Sequence, residues 1–344
     1  MRIFFLFALL ASPLFSWSQV NLVASGSTQC TWQEINLVDS SFQSSDSSVI
    51  FATTRSVLQN KGREFLGTEI ASDSLLRFYT IYFNGNSWKA APRNSLADAL
   101  KSNRSSSDFV VYTEGDGKTF PDNIDRSTRL SRLYHVNVIM FDWPSRVPGY
   151  GGIKNVRNTV RNTQAVAKQF HTLLLNLQDY KMAFPEKMTH LSLFFHSLGN
   201  AVFKNSVERY GTADLQKDLA DNIILNAACV PLRKHRSWLE KLCFQEHIYV
   251  MYNRKDKTLR EASILFGKRL LGCQLNKRLA PNTRYINLAP LALNKHNYFL
   301  IIPLLNQHPG IPSFFTSVFH ANTLDLSDTS RLRRRSNGKG FTLL

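Results

Sequence analysis

Residues 189–203 read THLSLFFHSLGNAVF, and the fold turns on the reading of Phe194-Phe195-His196-Ser197-Leu198-Gly199-Asn200 within them. Either a buried strand ends on a sharp turn that exposes the Ser197 hydroxyl at the start of a helix, or an apolar strand simply runs into a small-residue turn. Residues 191–195 form an apolar run of strand length. The following GNAVFKNSVERYG has helical character, with Gly211 as its cap. Gly199 permits close packing behind the serine, and the Leu198 amide sits at the helix start. Phe195 is a large ring two positions before the serine, where a small residue is usual, so the local pattern leaves both readings open.

Working outward, this strand is one of eight apolar, partly β-branched runs, centred near 51, 79, 110, 138, 192, 224, 249 and 286. Helical segments are expected at 95–103, 122–134, 234–243 and 258–271. Between 155 and 177, Val156, Val160, Ala167, Phe170, Leu174 and Leu177 recur on one helical face. This alternation predicts an α/β fold, a mostly parallel eight-stranded sheet flanked by helices.

The 344 residues are 43% apolar, enough for a large core. Residues 1–18 read as a signal peptide, Arg2 followed by IFFLFALLASPLF, with Ser16 and Ser18 set for cleavage before Gln19. Export to the periplasm or medium is the expectation. An irregular leader then spans 19–47, the domain 48–320, and a basic, flexible tail 321–344 containing RLRRR. Cys30, Cys229, Cys243 and Cys273 lack the spacing of a redox or zinc motif, and no disulfide connectivity follows from them. Net charge is +17, or +16 once the signal peptide and its Arg2 are gone. Such a field favours anionic partners or an anionic surface. The basic residues are scattered except at the tail and no RNP or zinc-finger pattern occurs, which argues against nucleic acid.

A nucleophilic serine needs a base, a group that orients the base, and donors for the oxyanion. Asp256 follows the next-to-last run and His296 the last, giving the chain order Ser197, Asp256, His296 that hydrolases built on this strand-turn-helix elbow display. A parallel sheet would gather the three at its C-terminal edge. Asp256 has a plainer reading as a solvated carboxylate between Lys255 and Lys257, and His296 as a packed or surface histidine. His196 is a poorer base, since a residue adjacent to the serine points elsewhere and suits a packing role beneath the turn. His308 and His320 are less closely tied to a strand.

Over residues 48–305 the chain resembles the α/β hydrolases of unknown function, on FATTR, DFVVYTEG, VIMFDWPS, FFHSLGN, YNRKDKTLR and NKHNYF. The resemblance implies an α/β-hydrolase fold with Ser197 as nucleophile, Asp256 as triad acid and His296 as base. The backbone amides of Leu198 and Asp116 would hold the oxyanion, with Gly115 and Gly199 shaping the turns. No cofactor or metal is implied. Three departures stand out: Phe195 for Ala or Gly, Glu114-Gly115 for His-Gly, and Asn226 within a segment that is Ala-Pro-Asp in relatives. The carboxylate of Asp116 would oppose an oxyanion if it pointed inward. The reading is a serine hydrolase acting on a carboxylester, lipid or thioester through an acyl-enzyme. The alternative is a catalytically reduced binding or cell-envelope protein on the same fold. PSRVPGYGG and residues 289–316 are candidate lips over the site, or structural loops.

Overall fold

The computed structural model describes residues 36–37, 48–60, 63–83, 88–101, 107–147, 149–335 and 340–344. The expected signal peptide, most of the expected leader and Cys30 lie outside them. The described chain begins with β1 (Asn36–Leu37), β2 (Val49–Thr53), β3 (Arg55–Asn60), β4 (Arg63–Ile70), β5 (Arg77–Phe83) and β6 (Trp88–Arg93). Helix and strand then alternate through α1 (Leu96–Lys101), β7 (Asp108–Thr113), α2 (Phe120–Tyr134), β8 (Asn137–Asp142), α3 (Gly152–Ala165) and α4 (Ala167–Ala183). The alternation continues with β9 (His190–His196), α5 (Gly199–Tyr210), β10 (Ala220–Asn226), α6 (His235–Leu239), β11 (Gln245–Tyr252), α7 (Lys257–Leu265) and β12 (Arg284–Asn287). Helices α8 (Ala289–Ala292), α9 (Ile302–Gln307) and α10 (Gly310–Phe319) precede β13 (Leu332–Arg334) and β14 (Phe341–Leu343).

Twelve strands form one sheet in the order β1-β6-β5-β2-β8-β7-β9-β10-β11-β12-β14-β13, and β3 and β4 form a separate antiparallel pair. The centre from β2 through β8, β7, β9, β10 and β11 to β12 is wholly parallel. Antiparallel pairing is confined to β2–β5, β5–β6 and β13–β14. The α/β architecture and mostly parallel sheet are as expected, whereas the expected eight strands become twelve. All eight apolar runs are strands; the additional four lie towards the edges. Residues 321–344 contribute β13 and β14 to that sheet, with Leu332 and Leu343 buried. The single helical face expected over 155–177 is shared by two helices that meet at Val166.

Two cores sandwich the sheet, and strand alternation assigns residues to each. Val111, Phe195, Ile223 and Val250 face Phe170 of α4, Phe203 of α5 and Trp238 of α6. Their neighbours Val110, Phe194, Ile224 and Tyr249 face Phe120 and Ile124 of α2 and Phe314 and Phe315 of α10. Residues 289–316, one candidate lip, therefore largely pack beneath the second face. Phe299, Phe314 and Phe315 are fully or almost fully buried.

The familiar motifs brace the sheet behind the site. Arg55 of FATTR donates to both oxygens of Asp142 (2.7 and 3.1 Å) and to the carbonyl of Trp143. Thr53 and Asn123 donate to the same carboxylate at 2.6 and 2.7 Å. Arg55 and Asp142 are both fully buried, so each requires the other: an isolated buried charge is far costlier than a paired one.

Candidate active site

At the C-terminal end of β9 the chain reverses within two residues. Ser197 takes φ 52°, a left-handed conformation that a side-chain-bearing residue adopts at a cost on the order of 1–3 kcal/mol. The surroundings hold it there. Ser197 N donates to the Asn226 carbonyl and Cys229 N to the Ser197 carbonyl, both at 3.1 Å. Asn200 Nδ2 lies 3.0–3.2 Å from the carbonyls of Phe195, Ser197 and Asn226. A β-carbon on Gly199 would press into the Thr113 carbonyl oxygen, so only glycine lets α5 start against the end of β7.

Phe195 does not pry strand and helix apart. It points into the first core, stacks on Phe203 of α5 with centroids 4.3 Å apart, and meets Phe170 edge-on at 5.4 Å. The elbow helix thus rests on the ring.

Asp256 and His296, forty residues apart, come together: His296 Nδ1 lies 2.7 Å from Asp256 Oδ2. Asp256 is fully buried, and its other oxygen accepts from Leu259 N at 3.0 Å, capping α7. The plain reading of Asp256 as a solvated carboxylate is thereby excluded. Fixing Nδ1 as the donor leaves Nε2 as the basic nitrogen. The His296 ring lies 4.5 Å, centroid to centroid, from that of His196, the residue before Ser197. Among the hydrogen bonds of the described residues none joins Ser197 Oγ to His296, a contact that is often loose in a resting site. His320 is engaged elsewhere, with Asp108 at the start of β7 (2.6 Å) and the Tyr134 carbonyl.

The turn after β7 closes over the serine. A β-carbon on Gly115 would stand 2.5 Å from Ser197 Cβ, 3.0 Å from Leu198 N and 3.1 Å from Ser197 Oγ, so this backbone lies directly against the elbow. The turn carries the Asp116 amide. Its carboxylate accepts from Asn155 Nδ2 of α3 at 3.1 Å, and burial raises its pKa above the ordinary carboxylate value. The WPS run supports the turn from behind. Trp143 Nε1 donates to the Glu114 carbonyl at 3.0 Å, Gly117 N to the Ser145 carbonyl at 3.1 Å, and Lys118 N to Ser145 Oγ at 3.0 Å.

Glu114, buried, forms an ion pair with Arg126 and accepts from Tyr112 Oη and from Gly115 N (2.8 Å). Burial opposes its ionisation, but Arg126, with His196 and Lys118, holds its pKa far below the usual carboxylate range. For His196, burial dominates and pushes the pKa well down despite Glu114 nearby. The residue-type pattern had assigned neither Arg126 nor Asn297 a part here. Arg126 is one of three arginines in α2, with nothing in the sequence to single it out, and Asn297 was visible only as a neighbour of His296.

A small apolar cluster adjoins the serine: Leu198, Ala227, Cys229, Leu259, Leu270 and Cys273, with Val160 and Phe266 partly buried against it. Cys229 and Cys273 are free thiols, both buried, and Cys243 is free and exposed. Burial raises the Cys229 pKa strongly and that of Cys273 to about 11, which keeps both as thiols. The stretch 144–152, the other candidate lip, leaves Arg146 and Tyr150 exposed beside the turn.

A scan against protein-family models matches none, and a search of curated proteins finds no match.

Proposed function

We propose that this chain is a serine hydrolase on an α/β-hydrolase fold, cleaving an ester-like substrate (carboxylester, lipid or thioester) through an acyl-enzyme. The observation that carries the reading is His296 bound to the buried Asp256 carboxylate, its ring against that of the residue before a serine held at positive φ. A left-handed, substituted residue at a strand-to-helix turn is costly and is kept where function requires it. The order Ser197, Asp256, His296 and the resemblance over 48–305 point the same way.

In this mechanism His296 Nε2 takes the Ser197 hydroxyl proton as Oγ bonds to the acyl carbon. The carbonyl π pair moves onto oxygen and is held by the amides of Leu198 and Asp116. Collapse expels the alcohol or thiol, which leaves with the proton from His296. Water then repeats the cycle and frees the acid. Asp256 stabilises the imidazolium. The Asp116 carboxylate is drawn towards Asn155, which lessens its opposition to the oxyanion. The apolar cluster around Leu198 suits an acyl group. Arg146, Arg254, Lys255 and Lys295 are exposed on the loops of the site and favour an anionic substrate or surface.

The test is labelling with a fluorophosphonate, the adduct located by peptide mass. The expected adduct is on Ser197, absent in Ser197→Ala and slowed on the order of a thousandfold or more in His296→Ala. Neutral and anionic soluble esters assayed against salt would place the charge preference. Folded wild-type protein that neither labels nor turns over any of these esters overturns the hydrolase reading and favours the binding-protein alternative.

A further inference from the structure

We infer that a buried hydrogen-bond circuit, running from Glu114 through Arg126, Asn297 and His196 to Asn226 and Tyr298, is the positioning device that holds the elbow, the oxyanion turn and the base loop in register. This rests on the proposed hydrolase reading. Each of those three segments contributes to the circuit a residue directly beside, or one removed from, its reactive group. His196 precedes Ser197, Asn297 follows His296, and Glu114 donates no group of its own but binds Gly115 N, one residue before the Asp116 amide.

The directions of the bonds are set by chemistry. Arg126 can only donate, so the Asn297 atom 3.2 Å from its Nη2 is the amide oxygen. The same oxygen lies 2.9 Å from His196 Nε2, which must then carry a proton. His196 Nδ1, 3.0 Å from Asn226 Nδ2, is left as the acceptor, and Asn226 Oδ1 accepts from Tyr298 Oη. Arg126 Nε completes the chain to Glu114. With the Asn226 amide oriented so that its oxygen faces Tyr298 Oη, every link has one donor and one acceptor only if His196 is neutral with its proton on Nε2. A second proton would set Nδ1–H against the Asn226 amide hydrogens. The charged and titratable groups facing His196 are Glu114 Oε1 at 3.7 Å, Arg126 through Asn297, and the His296 ring at 4.5 Å.

The circuit also accounts for two departures from the family pattern together. Glu114 stands where the resemblance leads one to expect a histidine, and Asn226 where it leads one to expect Ala-Pro-Asp; here Glu114 ends the circuit on one side, and Asn226 links it to Tyr298 on the other. His196 is thus a positioning residue, with no part in proton transfer to the substrate.

Two measurements test this on the full chain. Nitrogen-15 NMR of wild-type protein is expected to show His196 as the neutral Nε2–H tautomer from about pH 5 to 8, the range in which an ordinary histidine titrates. Asn297→Leu, which removes the shared acceptor, is expected to slow fluorophosphonate labelling of Ser197 per folded molecule by on the order of a hundredfold, the scale of small misplacements. Its effect falls on kcat rather than KM, and Asn297→Asp, which keeps an acceptor there, restores most of the rate. An Nδ1–H tautomer, or ordinary titration of His196, overturns the circuit even if the Leu variant fails to fold. An unchanged labelling rate in a folded Leu variant overturns the positioning role. A folded wild-type protein that neither labels nor turns over the esters, with the Nε2–H tautomer intact, removes the hydrolase reading and leaves the circuit.

Discussion

Asp256 performs two tasks with two oxygens, and substitution can separate them. Asparagine keeps an oxygen for Leu259 N, so the cap on α7 survives, but it presents an amide to His296 Nδ1 and selects the wrong imidazole tautomer. Asp256→Asn is expected to lower kcat about 10³–10⁴-fold with little change in Tm, whereas Asp256→Ala also loses the cap, about 1 kcal/mol. A matched pair of turnover and thermal unfolding curves separates the two effects. Acid stability follows from His196 and Glu114. Both have folded pKa values below their unfolded ones, 6.5 and 4.5, so their contributions are present above those values and are lost as pH falls below them. The unfolding free energy, and Tm with it, should therefore decline below about pH 6.5, the free energy with a slope of up to about 1.4 kcal/mol per pH unit for His196. His196→Gln should flatten that first part of the decline, and an unchanged slope there would contradict the assignment.

Among the elements, β9 and α5 show what sequence could and could not reveal. The elbow was legible because Gly199 and the apolar run before it have local causes. The accommodation of Phe195 was not, because its partners Phe170 and Phe203 come from two helices. Replacing Phe195 with alanine is expected to remove a structural support. The variant should lose about 3–5 kcal/mol, the usual cost of emptying a buried phenylalanine site, measured by urea unfolding. The strands were legible where they are buried on both faces, as in β7 to β11, where apolar content is continuous. WKAAPR in β6 and LRR in β13 were not, since strands at or next to a sheet edge carry charge and proline that read as loop or tail. Asp256 and His296 were found by their place after strands. The circuit beneath them was hidden, because a hydrogen bond between positions 126 and 297 leaves no trace in either neighbourhood.

At the scale of the whole molecule, the groups of the proposed triad hang from strands of unequal tenure. Ser197 directly follows β9, which is flanked on both sides by long parallel neighbours, β7 and β10. His296 follows β12, four residues long, paired at four positions with β11 and at only two with β14. Opening free energies within one domain differ from region to region, and sparsely paired segments open first. In rising urea the base should therefore part from the serine before the sheet melts. Catalytic turnover is expected to vanish at a lower midpoint than far-ultraviolet ellipticity, and coincident midpoints would count against it. A population could then lie between the two transitions that is folded by every spectroscopic measure and chemically silent, its serine still in place and its histidine adrift.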